Sequence, residues 1–497
     1  MILVSNEQLI ERRDYLTDYS VVQTPGGPLT SNPTHRQREN PIQTTQVQTR
    51  NDISPDQSNV VNPDVARPEF NPFDEITALT SLECVDPEIK DFDQHCALLQ
   101  SYFKVTKVAQ GSFAGVYRME LITSPSLYTV WKLIPIKPKK GRGSRSRNNQ
   151  TLIQDAAAEV KALAVMQQIP GFVDFRSAQV LQGPLPAFFD KLDYDWYCDH
   201  SDDASSISYN PNQLWLLIEM SDAGSDLETV LEKGFPDGSL LNKRDQGQRL
   251  TIKQTWDIFW GVTEALARGE ATAQFEHRDL HPGNICITSS KTLSGGADQH
   301  EIERFTNLQI TLIDYTLSRA AVNETEVLAN SMQDRALFEQ YGENRADARQ
   351  FDIYRIMRTF VVWPTVMTQQ VEEKWKQFVP VTNVCWLYHI LLLLLEQTEY
   401  YTPESQGGGE EKAFKDKKER KLAKALAELV LHLIPGHRHV WQYLSATEVV
   451  DDQMGRLETP LAAVKEGDSE AMGRRRKHRA ELIEHEALMK DVRRLQL

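Results

Sequence analysis

Two periodicities divide this chain. From Tyr102 to Leu121 (YFKVTKVAQGSFAGVYRMEL) β-forming residues flank a small-residue turn, which predicts a pair of strands. Tyr128 to Ile136 (YTVWKLIPI) predicts another, and Leu214 to Met220 (LWLLIEM) a buried strand broken by Ser221-Asp222-Ala223-Gly224. A helix is expected between these strands, from about Ile153 to Gln168. Further on, apolar residues recur at helical spacing over Lys253–Ala273, from Gln350 onward, over Trp386–Glu396 and over Lys412–Leu433. A strand-rich part followed by a helix-rich part is the α+β order of a two-lobed protein. Trp386 to Leu395 is the most apolar run; it is short and holds Tyr388 and His389, so it reads as a buried helix and not a membrane span.

The ends lack such patterning. From about Gln23 to Asp74 the chain is rich in Pro, Thr, Gln, Asn and Ser, and so has too little apolar surface to offset its ordering entropy. The expected organisation is a mostly disordered arm over 1–80, a strand-rich lobe over 81–220, a helical lobe over 221–450 and a charged helical tail over 451–497. Folded sequence is expected to start near Leu82, and a basic, flexible insert is expected at Lys137–Arg147. In the tail, Gly473-Arg-Arg-Arg-Lys-His-Arg reads either as a nuclear-import or nucleic-acid patch or as a solvated helix face. The first residues, MILVSNEQLIERRDYL, have no long apolar core and no cleavage signal, so no secretory leader is expected.

Charge narrows the partners. With 497 residues and a formal charge of −15, the chain can bury a large core, and its surface as a whole suits a basic partner better than nucleic acid. Cys84, Cys96, Cys198, Cys286 and Cys385 form no CxxC pair, and reduced thiols of a cytosolic or nuclear compartment are expected.

The candidate chemistry lies between Phe275 and Arg319. FEHRDLHPGNICI is followed, after a polar insert, by LQITLIDYTLSR. Phosphoryl transfer asks for a carboxylate to orient and deprotonate a hydroxyl, and for oxygen ligands to hold Mg²⁺ against phosphates. Asp279 in His277-Arg278-Asp279 suits the first task; Asn284, and Asp314 closing an apolar strand, suit the second. Lys132 lies among Val130, Trp131, Leu133 and Ile134, where a lysine needs a partner. Glu159, on the helix that follows, supplies one, in the arrangement that aims a lysine at the α- and β-phosphates of ATP. The loop over those phosphates would run from Gln110 to Gly115. Template glycines fall on Ala109, Gly111 and Ala114, so only the middle one is kept. Met220 to Ala223 would lie beside the adenine, and Asp226 is placed either to meet a ribose or substrate or to cap the next helix.

These residues resemble the haspin family of atypical serine/threonine kinases. The Mg²⁺ strand ends Leu312-Ile-Asp-Tyr-Thr-Leu-Ser-Arg319 where most kinases have DFG, and His281 stands where most carry lysine. Gln350-Phe-Asp-Ile-Tyr-Arg355 is similar to a family helix, Trp215 to Leu227 is similar to its hinge stretch, and no APE motif intervenes. The resemblance covers about Asp91 to Leu444. It implies a bilobal protein-kinase-like fold using ATP and Mg²⁺, with Lys132 and Glu159 as the ion pair and Asp279 as the base. Asn284 and Asp314 would be the metal ligands, Met220 the gatekeeper, and Ser221, Asp222 and Ala223 the hinge. It further implies a monomer that phosphorylates the third-position threonine of the histone H3 N-terminal tail, in the nucleus on chromosomes, without activation-loop phosphorylation. The basic tail would allow chromatin association. Two features depart from the family: the altered phosphate loop, and Glu343-Asn-Arg-Ala-Asp-Ala-Arg349 in place of an acidic run that grips the histone tail. Asp222, Asp226, Asp334 and Glu339 are the remaining candidates to receive substrate cations.

Two other readings share part of this pattern. HRDLHPGN also resembles the HGDLHPGN of small-molecule phosphotransferases such as aminoglycoside and choline kinases, although Arg278 and DYTLSR favour haspin. Loss of two loop glycines would suit a pseudokinase scaffold, although Lys132, Asp279 and Asp314 are all present.

Overall fold

A computed structural model describes residues 72–458 except 98, 112–113, 126, 138–149, 201–208, 235–241, 245–246, 290–301, 333–334, 343, 363–370, 399–415 and 434–441. The residues N-terminal to 72, the basic insert beyond Lys137, Asp334, Glu343 and the charged tail beyond Glu458 therefore lie outside the described residues.

The first lobe is one twisted sheet. Its strands are β1 (Val85–Asp91), β2 (Phe103–Gln110), β3 (Gly115–Leu121), β4 (Tyr128–Lys137), β5 (Thr151–Leu152), β6 (Phe175–Gln182) and β7 (Leu214–Met220), in the order β1-β6-β7-β4-β3-β2 with β5 beside β4. Alternation of side chains sends Trp131, Leu133, Trp215 and Leu217 to one face, where they pack with Phe92, Tyr117 and Phe189. Ile134, Ile136, Leu216 and Ile218 go to the other, against Val160 and Leu163 of a helix. Folded sequence begins earlier than the composition suggests: α1 (Pro72–Thr80) is helical, because Ile76 and Leu79 are one turn apart and both buried.

Helix α2 (Ile153–Met166) covers the second face through Ile153, Ala156, Val160, Leu163 and Met166. Helix α3 (Ala187–His200) puts Phe189 against the first. After the turn at 221–224 come β8 (Ser225–Asp226), α4 (Leu227–Lys233) and the long α5 (Ile252–Ala273), which opens with a Thr251/Gln254 capping box. Two antiparallel strands, β9 (Ile285–Ser289) and β10 (Leu308–Leu312), lie on α5, followed by the β11 (Arg319–Ala321) and β12 (Val327–Ala329) hairpin. Helices α6 (Arg345–Val362), α7 (Val371–Lys376), α8 (Val381–Glu396), α9 (Lys417–Leu433) and α10 (Ala446–Glu458) complete the lobe. α6 starts before Gln350, with Asn344 Oδ1 accepting from the N–H of Ala346 and Asp347 at its N-terminus. Trp386 and its neighbours are buried in α8, and no helix of the described residues is long and apolar enough to cross a membrane.

Candidate active site

Strand parity places Lys132. It shares a face of β4 with Ile134, so its side chain points at α2, where Glu159 sits on the buried stripe between Ala156 and Leu163. Lys132 Nζ lies 2.5 Å from Glu159 Oε1 and 3.6 Å from Asp314 Oδ2. Burial works against the ammonium, but the charges of Asp314 and Glu159 outweigh it and hold Lys132 protonated above its ordinary range.

The β9–β10 register brings the two oxygen ligands together. Ile285 pairs with Leu312, so Asn284 just before β9 and Asp314 just after β10 share one end of the ribbon, and Ile313 N donates to Asn284 O at 3.1 Å. Asn284 Nδ2 donates to the Asp279 carbonyl at 2.7 Å, leaving the amide oxygen as acceptor. Asp314 has φ +61, a conformation that costs a non-glycine residue energy and that clusters at functional sites. Its Oδ1 accepts from Thr316 N at 3.2 Å and Thr316 Oγ1 at 2.5 Å. Burial pushes its carboxyl up, yet Lys132 and the Thr316 bonds pull it down to about 2. A neutral amide oxygen beside a firmly ionised carboxylate is a hard donor set, fitting for Mg²⁺ completed by water and phosphate.

The catalytic loop is bolted down from within. His277 Nε2 lies 3.1 Å from Ile313 O, and burial pushes this imidazole down to about 4, so it is a neutral strut. Asp279 is raised to about 8, first by desolvation and then by Asp314, with the Tyr354 hydroxyl acting against both. Arg319 pairs its backbone with Glu276 and donates from its guanidinium to Gln274 O at 2.5 Å and Lys376 O at 3.1 Å, tying the DYTLSR segment to the loop.

On the nucleotide side, Met220 closes β7 opposite Val130 and Phe175, and the connection to the second lobe follows. Ser221 N donates to Asp174 O at 2.9 Å, so the Ser221 carbonyl and the Ala223 amide are the groups that could hold an adenine edge. Gly224, at φ +91, is required: a Cβ there would lie 2.3 Å from Ile287 O. Asp222 is already engaged, its Oδ2 2.9 Å from Arg118 Nε and its Oδ1 accepting from Gly224 N at 2.8 Å. It links hinge to β3 and is not placed to take a substrate cation. Asp226 caps α4, accepting from Thr229 N and Thr229 Oγ1, each at 2.8 Å, the capping reading of that residue. Glu339 is exposed.

In the phosphate loop Ala109 stays in β2 opposite Val116, and Gly111 N donates to the carbonyl of buried Ala114 at 2.8 Å. Gly115 answers packing, since its Cβ would be 2.6 Å from Tyr117 Oη. Lys107, from β2, bonds Asp193 of α3 at 2.8 Å and Gln110 at 2.6 Å, so the strand leading into this loop is anchored from outside it.

Three residues escaped the sequence reading: Tyr354, whose hydroxyl donates to Asp279 Oδ1; Glu276, which receives Arg278; and Glu228, whose carboxylate lies beside Gly283 and His281. The partners of Tyr354 and Glu228 come from another segment, whereas Glu276 lies two residues from Arg278, and the QFDIYR resemblance takes in only Tyr354.

The family model for the haspin-like kinase domain matches residues 30–424, which include every residue of this site. The chain belongs to the haspin-like kinase family. Its haspin domain is 26% identical over 323 residues to the haspin homologue of Schizosaccharomyces pombe, covering 61% of this chain and 57% of that protein. Against the Drosophila melanogaster homologue it is 25% identical over 323 residues, or 62% and 50% of the two chains. Bos taurus haspin is 27% identical over 312 residues, 59% of this chain and 35% of the relative. The chain thus spans about half the length, or less, of these curated relatives. All three are serine/threonine-protein kinases by name, and the haspin fold here is the mixed, two-lobed arrangement described above.

Proposed function

We propose that this haspin-type kinase domain transfers the γ-phosphoryl group of ATP to the third-position threonine of the histone H3 N-terminal tail. The observation that carries the substrate class is acidic charge beside the catalytic loop. Glu228 is raised above the ordinary carboxylate range, first by burial and then by Asp226, Glu232 and Asp347, with His281 opposing them. Three carboxylates that feel the charge of Glu228, itself beside Gly283 of the catalytic loop, suit a basic peptide through charge-assisted hydrogen bonds better than a small neutral alcohol. Asp226, Glu228 and Glu232 lie outside the segment before Gln350 that lacks the acidic run, and Asp347 lies within it.

In this reading Lys132 aims at the α- and β-phosphates, held by Glu159. Ser221 and Ala223 meet the adenine, with Met220 behind it. Asn284 and Asp314 would hold Mg²⁺, which neutralises developing phosphate charge when bound. Asp279 accepts the threonine hydroxyl proton as that oxygen takes the phosphoryl group. The pseudokinase alternative is disfavoured because Lys132, Glu159 and Asp314 are already in contact. A nuclear, chromosomal location and chromatin association through the basic tail belong to the same proposal.

The test is incubation with Mg²⁺·ATP and an H3 tail peptide, beside a peptide carrying alanine at the third position. Phosphate on the first alone is expected. Equal labelling of both, or none, would overturn the substrate reading.

A further inference from the structure

The carboxylate of Asp279 depends on a residue that the chemistry above leaves unused. The Asp279 main chain is pinned through its carbonyl, which accepts from His281 N at 3.0 Å and Asn284 Nδ2 at 2.7 Å. Its side chain is another matter. Among the described residues its hydrogen-bond partner is Tyr354, whose hydroxyl donates to Oδ1 from α6. His281 does not substitute: its Nδ1 accepts from Gly283 N at 3.1 Å.

Tyr354 is held firmly enough to act as a fixed post. Its residue is buried, and its ring meets Trp386 edge-on with centroids 5.3 Å apart. Trp386 is itself fully buried, and its indole N–H donates to Met357 Sδ at 3.2 Å, one turn further along α6. A phenol brings one more property. It is a neutral donor, so it fixes a carboxylate oxygen without cancelling the charge a proton acceptor needs, as a lysine in contact would tend to.

We propose that Tyr354 is a positioning residue for phosphoryl transfer: its hydroxyl holds Asp279 Oδ1 so that Oδ2 is presented to the acceptor hydroxyl. The acceptor O–H proton then passes to Oδ2 as the new O–P bond forms and the bond to the departing ADP breaks. Tyr354 neither gains nor loses a proton. Its contribution is orientation, where small misplacement of a reacting group costs on the order of 10²-fold.

The inference rests on the kinase chemistry and not on the histone H3 threonine, so the acceptor is mixed core histones. Tyr354→Phe keeps the ring against Trp386 and removes only the hydroxyl. Its kcat should fall ~10- to 100-fold, with KM for ATP and for histone changed less than about twofold. In an Asp279→Asn background the same change should cause no further loss, because residues acting as a unit are non-additive. An unchanged or raised kcat, a loss carried by KM, or an equal loss in the Asp279→Asn background would overturn the proposal. The last outcome would mark Tyr354 as merely structural.

Discussion

Arg278 Nε donates to Glu276 Oε2 across 3.1 Å, and neither side chain has exposed surface. Glu276 also accepts from Val379 N at 2.7 Å and Thr382 Oγ1 at 2.8 Å, while Arg278 donates to Trp375 O at 2.7 Å. Arg278 is thus held by Glu276 and α7, and Glu276 in turn by the turn after α7 and the start of α8. Glu276→Ala should strand a buried guanidinium and cost about 3–5 kcal/mol, read by urea unfolding. Glu276→Gln keeps the acceptor oxygen and should cost less. A Glu276→Ala protein within about 1 kcal/mol of the wild type would show that the pair is not needed.

Lys132→Met removes the cation between Glu159 and Asp314. Turnover should fall by about 10²–10³ in kcat/KM for ATP, the scale of losing a preorganised donor at a phosphate. Stability should follow pH in a defined way. Asp314 is lowered from 3.8 to about 2 in the fold, so its contribution is present above pH 3.8 and is lost as pH falls through 2. Since Lys132 is the chief partner, the stability gap between wild type and variant should narrow as the medium is acidified across that window. A gap that widens on acidification would refute the assignment.

Asp279→Asn separates activity from stability. Loss of the proton acceptor should lower kcat by ~10²–10⁴. Asp279 is raised from 3.8 to about 8, mainly by desolvation, so between those values the folded state binds more protons than the unfolded chain, and stability falls as pH rises through the window. Asparagine never ionises. The variant should therefore melt above the wild type without nucleotide, by a margin that grows from pH 5 to pH 8. Melting curves at three pH values decide it, and a margin independent of pH would mean the carboxylate is not under strain.

Much of this site was readable because its contacts follow from local pattern. β4 parity and the α2 stripe turn Lys132 and Glu159 toward each other, and a hairpin-like pairing of β9 with β10 brings Asn284 to Asp314 across the polar insert. The two-lobed order came from periodicity alone. α1 was missed because a lone helix of this length has little signal outside its packing; Ile76 and Leu79 matter only once α2 is beside them. Tyr354 and Glu276 were invisible for a related reason. Their positions in the buried pattern of their own segments say that they face inward, but not that they meet Asp279 and the start of α8, 75 and 106 residues away. Asp222 shows the reverse error: an acidic hinge residue looked available, yet Arg118 on β3 had already claimed it.

Gly224 tests whether the inter-lobe turn is a close contact or a loose tether. Its φ of +91 strains any side chain, and a Cβ would stand 2.3 Å from Ile287 O and 2.5 Å from Thr288 Cγ2 on β9. The nearest atom is backbone in a paired strand, so it cannot turn aside as a long side chain would. Gly224→Ala should therefore displace the turn, costing about 2 kcal/mol or more. The same shift would move Ser221 and Ala223, three residues and one residue from the substitution. KM for ATP should rise while kcat at saturating ATP is little changed, since Asp279, Asn284 and Asp314 are held by other segments. A variant with wild-type melting and unaltered KM would show that the turn gives way freely, and that the adenine is held by something other than the Ser221 carbonyl and the Ala223 amide.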